Sequence, residues 1–444
     1  MSASAGSKHK PQHSAAPPRF AACRARDALV FAAGVAVAVL AILGSASVLA
    51  PGRRALVAFP VPGPGDGPRT FYDDPEVAYA VGTRLTGWDA KRAEWLRSRG
   101  LRNNAPEHVV MVSGQQPEPC PGDAGDHLLL RFLKNKLDYC RLHGIELLYN
   151  NALLEPSMVA YWAKIPNVRA AMLAHPEAEW VWWVDSDAVF TDMDFALPLS
   201  KYRGHNFVIH GTPKRIRRKS WLALNAGVFL VRNCQWSLDL MDEWARMGPA
   251  YPEEHARWGR TLRHALSDKD SDVACDQSAL VYLILYNLET LGKKVYIETD
   301  YYLQGYWVGV MDRLDGIAAR YEAVERRTPE LRRRHAEREH LRYAAARNAA
   351  VSRAVPGQAG GADSGWRRPL ITHFVGCQPC GGGRNPMYSR ESCDDGMRRA
   401  LGFADDQVLR AYGFRHADLL RDSLQPLPFD YPAVTIANRS NELD

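Results

Sequence analysis

The sequence predicts an α/β protein built on a mixed, mainly parallel central sheet and preceded by a transmembrane helix. Three observations predict it. Short β-branched runs alternate with amphipathic helical stretches, as a parallel sheet with helices on its faces requires. The stretch WVWWVDSDAVF (180–190) reads as an aromatic, uncharged buried strand that surfaces at two carboxylates, Asp185 and Asp187. From Ala28 to Ala50 no side chain is charged.

At about 1.5 Å of rise per residue, a helix over 28–50 crosses a hydrocarbon core roughly 30 Å thick. It is longer than the apolar region of a cleaved signal peptide, which runs about 7–15 residues. Lys8, Lys10, Arg19, Arg24 and Arg26 precede it against the single acid Asp27, so residues 1–27 are expected in the cytoplasm and the bulk of the chain across the membrane. Residues 51–104 open with the Pro- and Gly-rich PGRRALVAFPVPGPGDGPR and are expected to form a stem. The main domain is expected over 105–425, with a C-terminal tail over 426–444.

Within that domain, HVVMVSG (108–114) reads as a strand ending in a loop at Gly114. In the following helix, Leu129, Phe132, Leu133, Leu137 and Cys140 predict one apolar stripe, ended by Gly144. IELLYN (145–150) is a second strand, Met158 to Leu173 a helix, and the run ending at Asp185 a third strand. FVIHG (207–211) and AGVFLVRN (226–233) continue the sheet, followed by an amphipathic helix in SLDLMDEWARMG and a buried one over 276–287. Ala318 to Arg353, crowded with Ala, Arg and Glu, reads as a solvated helical insertion.

The composition of the 444 residues is that of a globular protein, 46% hydrophobic and 24% charged. The net charge of +6 is spread between the N-terminus and the Arg-rich insertion, without interleaved aromatic residues, which argues against nucleic acid. Seven of eight cysteines lie beyond the span, where disulfides are permitted. Cys377-Gln378-Pro379-Cys380 admits a redox or zinc reading, but no second ligand pair accompanies it, so structural disulfides are expected.

Ligands of open α/β sheets bind beyond the carboxyl ends of the strands, where Ser113-Gly114 and Asp185-Ser186-Asp187 both arrive. Two carboxylates flanking one small residue can share a divalent cation such as Mg²⁺ or Mn²⁺ and so neutralise a phosphate. An apolar strand followed by D-x-D-x-V also suits a phosphatase with an aspartyl nucleophile, but no Gly-Asp-rich metal loop follows.

HLLLRFLKNKLDYCRLHGIELLYN, WVWWVDSDAVFTDMDFALPLSKYRGHNFVIHG, LNAGVFLVRNCQWSLDLMDEWARMGP, DQSALVYLI, YYLQGYW and THFVGCQPC, in this order over about 105–420, resemble plant glycosyltransferases of family thirty-four. That family holds galactomannan galactosyltransferases and xyloglucan xylosyltransferases. The resemblance implies a GT-A-like domain of a Golgi type II membrane protein, a UDP-sugar donor, Mn²⁺, a polysaccharide acceptor and transfer with retention. A homo- or hetero-oligomer with related transferases is a further partner the resemblance admits, and the sequence does not fix the oligomeric state.

By the same resemblance Asp185, Asp187 and His373 bind the metal, and Asp276 and Gln277 stand near the reacting carbon. Val112, Ser113, Gly114, Ser186, Gly376 and Gln378 are expected along the nucleotide, and Asn225, Gly305 and Trp307 along the sugar and acceptor cleft. Trp307 also reads as a core residue, and Asp276 as a helix cap. Gln378 stands where the xylosyltransferase branch carries a lysine, which tilts the expected donor to UDP-galactose over UDP-xylose. A non-catalytic partner of an active relative is the remaining alternative. Asn438-Arg439-Ser440 is a glycosylation sequon, usable only on the lumenal side.

Overall fold

The computed structural model describes residues 77–101, 107–121, 123–355, 366–380 and 385–431. All belong to one compact unit, Arg69–Asp444. The predicted span, the cytoplasmic tail, most of the Pro-rich stem and Asn438 lie outside the described residues. No helix among those described is long and apolar enough to cross a membrane.

In chain order the main elements are α1 (Trp88–Ser98), β1 (Val109–Gly114), α2 (Asp123–His143), β2 (Glu146–Asn150), α3 (Lys164–Ala174), β3 (Trp180–Val184) and β4 (Ala188–Phe190). Then follow β5 (Phe207–Gly211), β6 (Leu224–Arg232), α4 (Gln235–Ala245), α5 (Pro252–Ala265), α6 (Asp276–Tyr286), β7 (Val295–Glu298) and β8 (Gly305–Tyr306). The chain continues through α7 (Leu314–Arg327), α8 (His340–Ala354), β9 (Ile371–His373), α9 (Arg390–Tyr412), β10 (Phe414–His416) and β11 (Leu424–Pro426).

The main sheet has six strands in the order β2-β1-β3-β6-β5-β7. β1 runs parallel to β2 and β3, and β7 parallel to β5, while β6 is antiparallel to both its neighbours. The predicted mixed, mainly parallel sheet is therefore present. Strand alternation explains why WVWWV is apolar throughout. Trp180, Trp182 and Val184 enter one core, with Phe132 and Tyr139 of α2 and Met397 of α9. Val181 and Trp183 enter the other, with Ile165 and Val168 of α3, Met241 of α4 and Leu280 of α6. The side chains of both layers are buried, and each large apolar side chain so buried contributes about 1.5–3 kcal/mol.

A second sheet of three strands, β4-β9-β8, branches off where β3 ends. It joins segments far apart in sequence: Ala188 of β4 faces His373 of β9, and Tyr306 of β8 lies beside the same histidine.

Four expectations need correction. The stripe on α2 is rotated: Leu137 is 49% exposed, whereas Asn135 and Lys136 are buried because they bond the D-x-D segment. The stem ends earlier than residue 104. Trp88 of α1 is wholly buried and its indole N–H donates to Asn233 Oδ1 at 2.8 Å, while Arg92 donates to the Pro176 and Ala178 carbonyls.

The segment 318–353 is not merely a solvated insertion. Tyr321, Val324, Ala350 and Val351 join the core, and Arg347 is buried between Asp194 (2.8 Å) and Glu325 (2.6 Å). Its excess of charge is spent on internal ion pairs as well as on the surface. The packed chain also continues past residue 425, since Leu427 and Tyr431 are buried and Arg410 donates to the Tyr431 hydroxyl at 2.8 Å.

Candidate active site

β3 delivers Asp185 at its carboxyl end, where the Asp185 amide donates to Gly227 O at 2.8 Å across the β3–β6 pair. A turn closed by Ala188 N donating to Asp185 O (3.2 Å) then sends the chain into β4. The antiparallel pairing of β4 with β9 and the bond from Phe374 N to Asp187 O (3.1 Å) set the register. That register places His373 beside carboxylates almost two hundred positions earlier in the chain. His373 Nε2 lies 3.1 Å from Asp187 Oδ1 and 3.7 Å from Asp185 Oδ2. One ligand atom from each of the three residues falls within 4.8 Å of the others.

This donor set fits a divalent cation. Two carboxylate oxygens and one imidazole nitrogen suit Mn²⁺ or Mg²⁺. The Gln304 carbonyl oxygen accepts from His373 Nδ1 at 2.9 Å, which leaves Nε2 as the ring nitrogen facing the carboxylates. Gln304 is itself anchored by its donation to Asn225 O at 2.9 Å. Space for the imidazole exists only because residue 227 has no side chain: a methyl built on Gly227 would overlap His373 Cε1 and lie 2.8 Å from Asp185 Oδ2.

Two buried lysines support the carboxylates from behind. Lys164 Nζ, at the start of α3, lies 3.2 Å from Asp185 Oδ1 and 2.7 Å from Asp276 Oδ2, and donates to Ala226 O at 2.9 Å. Burial opposes its charge, but Asp185 and Asp276 outweigh that and hold its pKa above the ordinary lysine value. Lys136 of α2 donates to Ser186 O (3.1 Å) and Ala188 O (2.8 Å), fixing the backbone of the turn that carries both aspartates. Its complete burial brings its pKa down to about 8, against the attraction of Asp187 and Asp185.

The carboxylates respond in kind. Burial pushes the pKa of Asp185 up, although Lys164 and His373 pull it down. Burial disfavours the imidazolium of His373, but Asp187 and Asp185 prevail and raise its pKa. Trp183 Nε1 donates to Asp185 Oδ1 at 2.5 Å, so β3 orients the first carboxylate as well as delivering it.

The other expected residues divide by location. Asp276 opens α6, but the cap is Cys275, whose sulfur accepts from Ser278 N; the Asp276 carboxylate is free to meet Lys164. Gln277 is half-buried, its amide donating to Trp221 O at 3.3 Å. Asn225 accepts from Gly227 N at 2.8 Å and so shapes the β6 segment under the Asp185–Asp187–His373 cluster. Ser186 is half-exposed between the two aspartates, and Gln378 is exposed.

Val112 and Ser113 are buried in the sheet, so of the first loop only Gly114 and its successors Gln115 and Gln116 reach the open end of β1. The close approach that Gly114 permits is to the Asn150 carbonyl of β2, an interstrand contact. Gly376 has φ +84°, a left-handed conformation that glycine adopts without strain.

Trp307 does not face a cleft. It is 6% exposed and stacks on Phe374, with ring centroids 5.7 Å apart and planes 23° apart, while buried Gly305 packs near Val310 and Pro369. Cys377 and Cys380 do not pair with each other. Cys377 bridges to Cys393 and Cys380 to Cys120, which removes the redox and zinc readings of that motif.

Lys136, Lys164, Gly227 and Gln304 contact or cradle the candidate cluster at positions that the sequence alone does not single out. Only Lys164 carries a sequence signal, its place in the mostly apolar run AYWAKIPNV; Lys136 sits among Arg131, Lys134, Asn135 and Asp138 and carries none.

The galactosyl transferase GMA12/MNN10 family model matches residues 105–383. A protein of Oryza sativa subsp. indica described as "Probable glycosyltransferase 6" is 63% identical, over 93% of this chain and 92% of its own length. The "Galactomannan galactosyltransferase 1" of Cyamopsis tetragonoloba is 51% identical, over 82% of each chain. The "Probable xyloglucan 6-xylosyltransferase 5" of Arabidopsis thaliana is 42% identical, over 81% of this chain and 71% of its own.

Proposed function

The chain belongs to the galactosyl transferase GMA12/MNN10 family, and on that premise we propose that it transfers galactose from UDP-galactose, with retention, onto a β-linked hemicellulose such as mannan. The observation that carries the reading is the meeting of Asp185, Asp187 and His373 in one cluster, backed by Lys164 and cradled by Gly227. The preference for galactose is supported by 51% identity to the galactomannan enzyme against 42% to the xylosyltransferase.

Asp185, Asp187 and His373 would hold Mn²⁺, which supplies charge neutralisation for the leaving diphosphate. Gln304 fixes the tautomer and angle of His373. Lys136 holds the Ser186 and Ala188 carbonyls, so the carboxylates are presented on a rigid turn rather than a mobile loop. Lys164 joins Asp185 to Asp276, so the carboxylate at the start of α6 keeps a fixed relation to the cluster. In that position Asp276 serves to stabilise developing positive charge on the sugar and to orient it.

The proposed setting is the Golgi membrane, with a GT-A-like domain in the lumen behind a single N-terminal anchor. It is supported by the uncharged run 28–50 and by two disulfides, which suit an oxidising compartment.

The test supplies the full chain, in detergent with Mn²⁺, with UDP-galactose or UDP-xylose and with manno- or cello-oligosaccharides, and weighs the products. Galactose on mannan supports the reading, and xylose on glucan replaces it with a xylosyltransferase. Asp187→Asn should abolish Mn²⁺-dependent UDP binding, and undiminished binding would refute the metal assignment.

A further inference from the structure

We infer that Tyr306 and Tyr388 form a subsite on which a pyranose ring of the polysaccharide acceptor stacks, beside His373. The inference rests on the transferase reading and names the part of the site that takes the acceptor chain.

The argument begins with strand parity. β8 runs parallel to β9 with Tyr306 in register with His373. Residues in register leave a sheet on the same face, and side chains alternate along each strand. Gln304, Tyr306 and His373 therefore share one face, and the bond between Gln304 and His373 fixes it as the face of the metal cluster. Trp307, the next residue, turns the other way and packs on Phe374. The aromatic ring of GYW that reaches the site is thus Tyr306, which is 49% exposed and one strand spacing, about 5 Å, from His373.

Tyr388 supplies the second ring. It sits edge-on to Trp307, with centroids 5.1 Å apart and planes at 70°, and its Cε2 lies 3.0 Å from where a Cβ on Gly376 would stand. Asn385 N donates to Gly376 O (3.0 Å) and Tyr388 N to Asn385 O (3.1 Å), which holds the ring against the strand end. The Tyr306 and Tyr388 hydroxyls meet, so one phenol braces the other. Val308, two residues after Tyr306, is 44% exposed and Val375, two residues after His373, is 39% exposed, so the surface strip formed by these two segments is partly apolar.

A phenol pair with apolar faces and a polar hydroxyl edge matches a ligand with an apolar C–H face and a polar rim. A pyranose has that shape, and its hydroxyls can bond the phenol oxygens while its C–H face covers a ring. The strip adjoins a cluster suited to phosphate through a cation, so a sugar lying on it has its hydroxyls near the donor side.

The test uses the full chain and its Tyr306→Ala, Tyr388→Ala and Tyr306→Phe variants. Affinity for manno- and cello-oligosaccharides is measured directly without donor, and affinity for UDP with Mn²⁺ separately. Both alanine variants should bind the preferred oligosaccharide about tenfold more weakly, the scale of about 1.4 kcal/mol expected of an aromatic contact. Tyr306→Phe should lose less than about threefold, and the acceptor KM should rise in the alanine variants while the donor KM holds.

Unchanged oligosaccharide affinity in both alanine variants overturns the inference. So does an equal loss of UDP affinity, which would make the rings a nucleotide platform. Oligosaccharide binding that depends on Tyr306, in a protein that binds no UDP with Mn²⁺, would uphold the subsite and refute the transferase reading. UDP binding without any oligosaccharide binding would do the reverse.

Discussion

Lys164 Nζ lies 2.7 Å from Asp276 Oδ2, and through the same ammonium Asp276 is joined to Asp185 at 3.2 Å. A buried cation thereby ties the start of α3 to the start of α6 and to the end of β3. Removing one partner of such a buried pair costs about 3–5 kcal/mol, because the remaining charge is left uncompensated. Lys164→Met is expected to destabilise the fold by about that amount and to depress transfer. Adding Asp276→Asn should restore part of the stability without restoring activity. Chemical denaturation of the single and double variants measures the coupling, and strictly additive losses would dissolve the pair.

Gly227→Ala addresses the proposed metal site through space alone. The added methyl meets His373 Cε1 and Asp185 Oδ2 on a strand buried on both faces, so β6 cannot shift to make room. The imidazole must turn away from Asp187 instead. Mn²⁺-dependent UDP affinity is expected to fall at least about tenfold, one decade being about 1.4 kcal/mol. Titration of UDP in the presence of Mn²⁺ checks it, and wild-type affinity would show that His373 is dispensable for the cluster.

The aspartates are legible in the sequence because a fully apolar strand ending in D-x-D is a local pattern. Position 373 is not, since it depends on the β4–β9 pairing, and three-residue strands leave no periodicity to read. For that histidine only the family resemblance serves. The lysines are hidden for the opposite reason: Lys is so rarely buried that Lys136 and Lys164 read as surface positions. Leu137 enters the α2 stripe by its spacing alone, and the choice between Tyr306 and Trp307 turns on the parity of a two-residue strand. Of the six strands of the main sheet, β1, β3, β5 and β6 are legible from their largely buried apolar runs and β2 from its Leu-Leu-Tyr segment, while the short β7 does not stand out.

The cysteine pairing makes a prediction free of any functional assumption. Non-reducing peptide mapping should recover Cys120–Cys380 and Cys377–Cys393, with Cys140, Cys234 and Cys275 as thiols. Burial pushes the Cys140 pKa up to about 12, with Lys136 opposing, so its thiolate is scarce at neutral pH. In the native protein, alkylation of Cys275 should outpace that of Cys140. A recovered Cys377–Cys380 bridge, or fast labelling of Cys140, would contradict the packing around α2.

His335 makes part of the stability depend on pH. Burial first, then the charges of Arg347, His340 and Arg410, bring its pKa down to about 4, with Asp194 opposing; its ring stacks on Tyr343 at 4.2 Å. An unfolded histidine titrates near 6.5, so between about pH 6.5 and 4 the unfolded chain takes up a proton that the folded chain refuses. The contribution is fully present above pH 6.5 and is lost as the pH falls toward 4. Asp192, raised to about 6 by burial despite Arg368, acts in the opposite sense over an overlapping range. The measurement must therefore be differential. The Tm of the wild type minus that of His335→Gln should be smaller at pH 5.0 than at pH 7.5, and a difference independent of pH would mean that His335 titrates as an exposed histidine does.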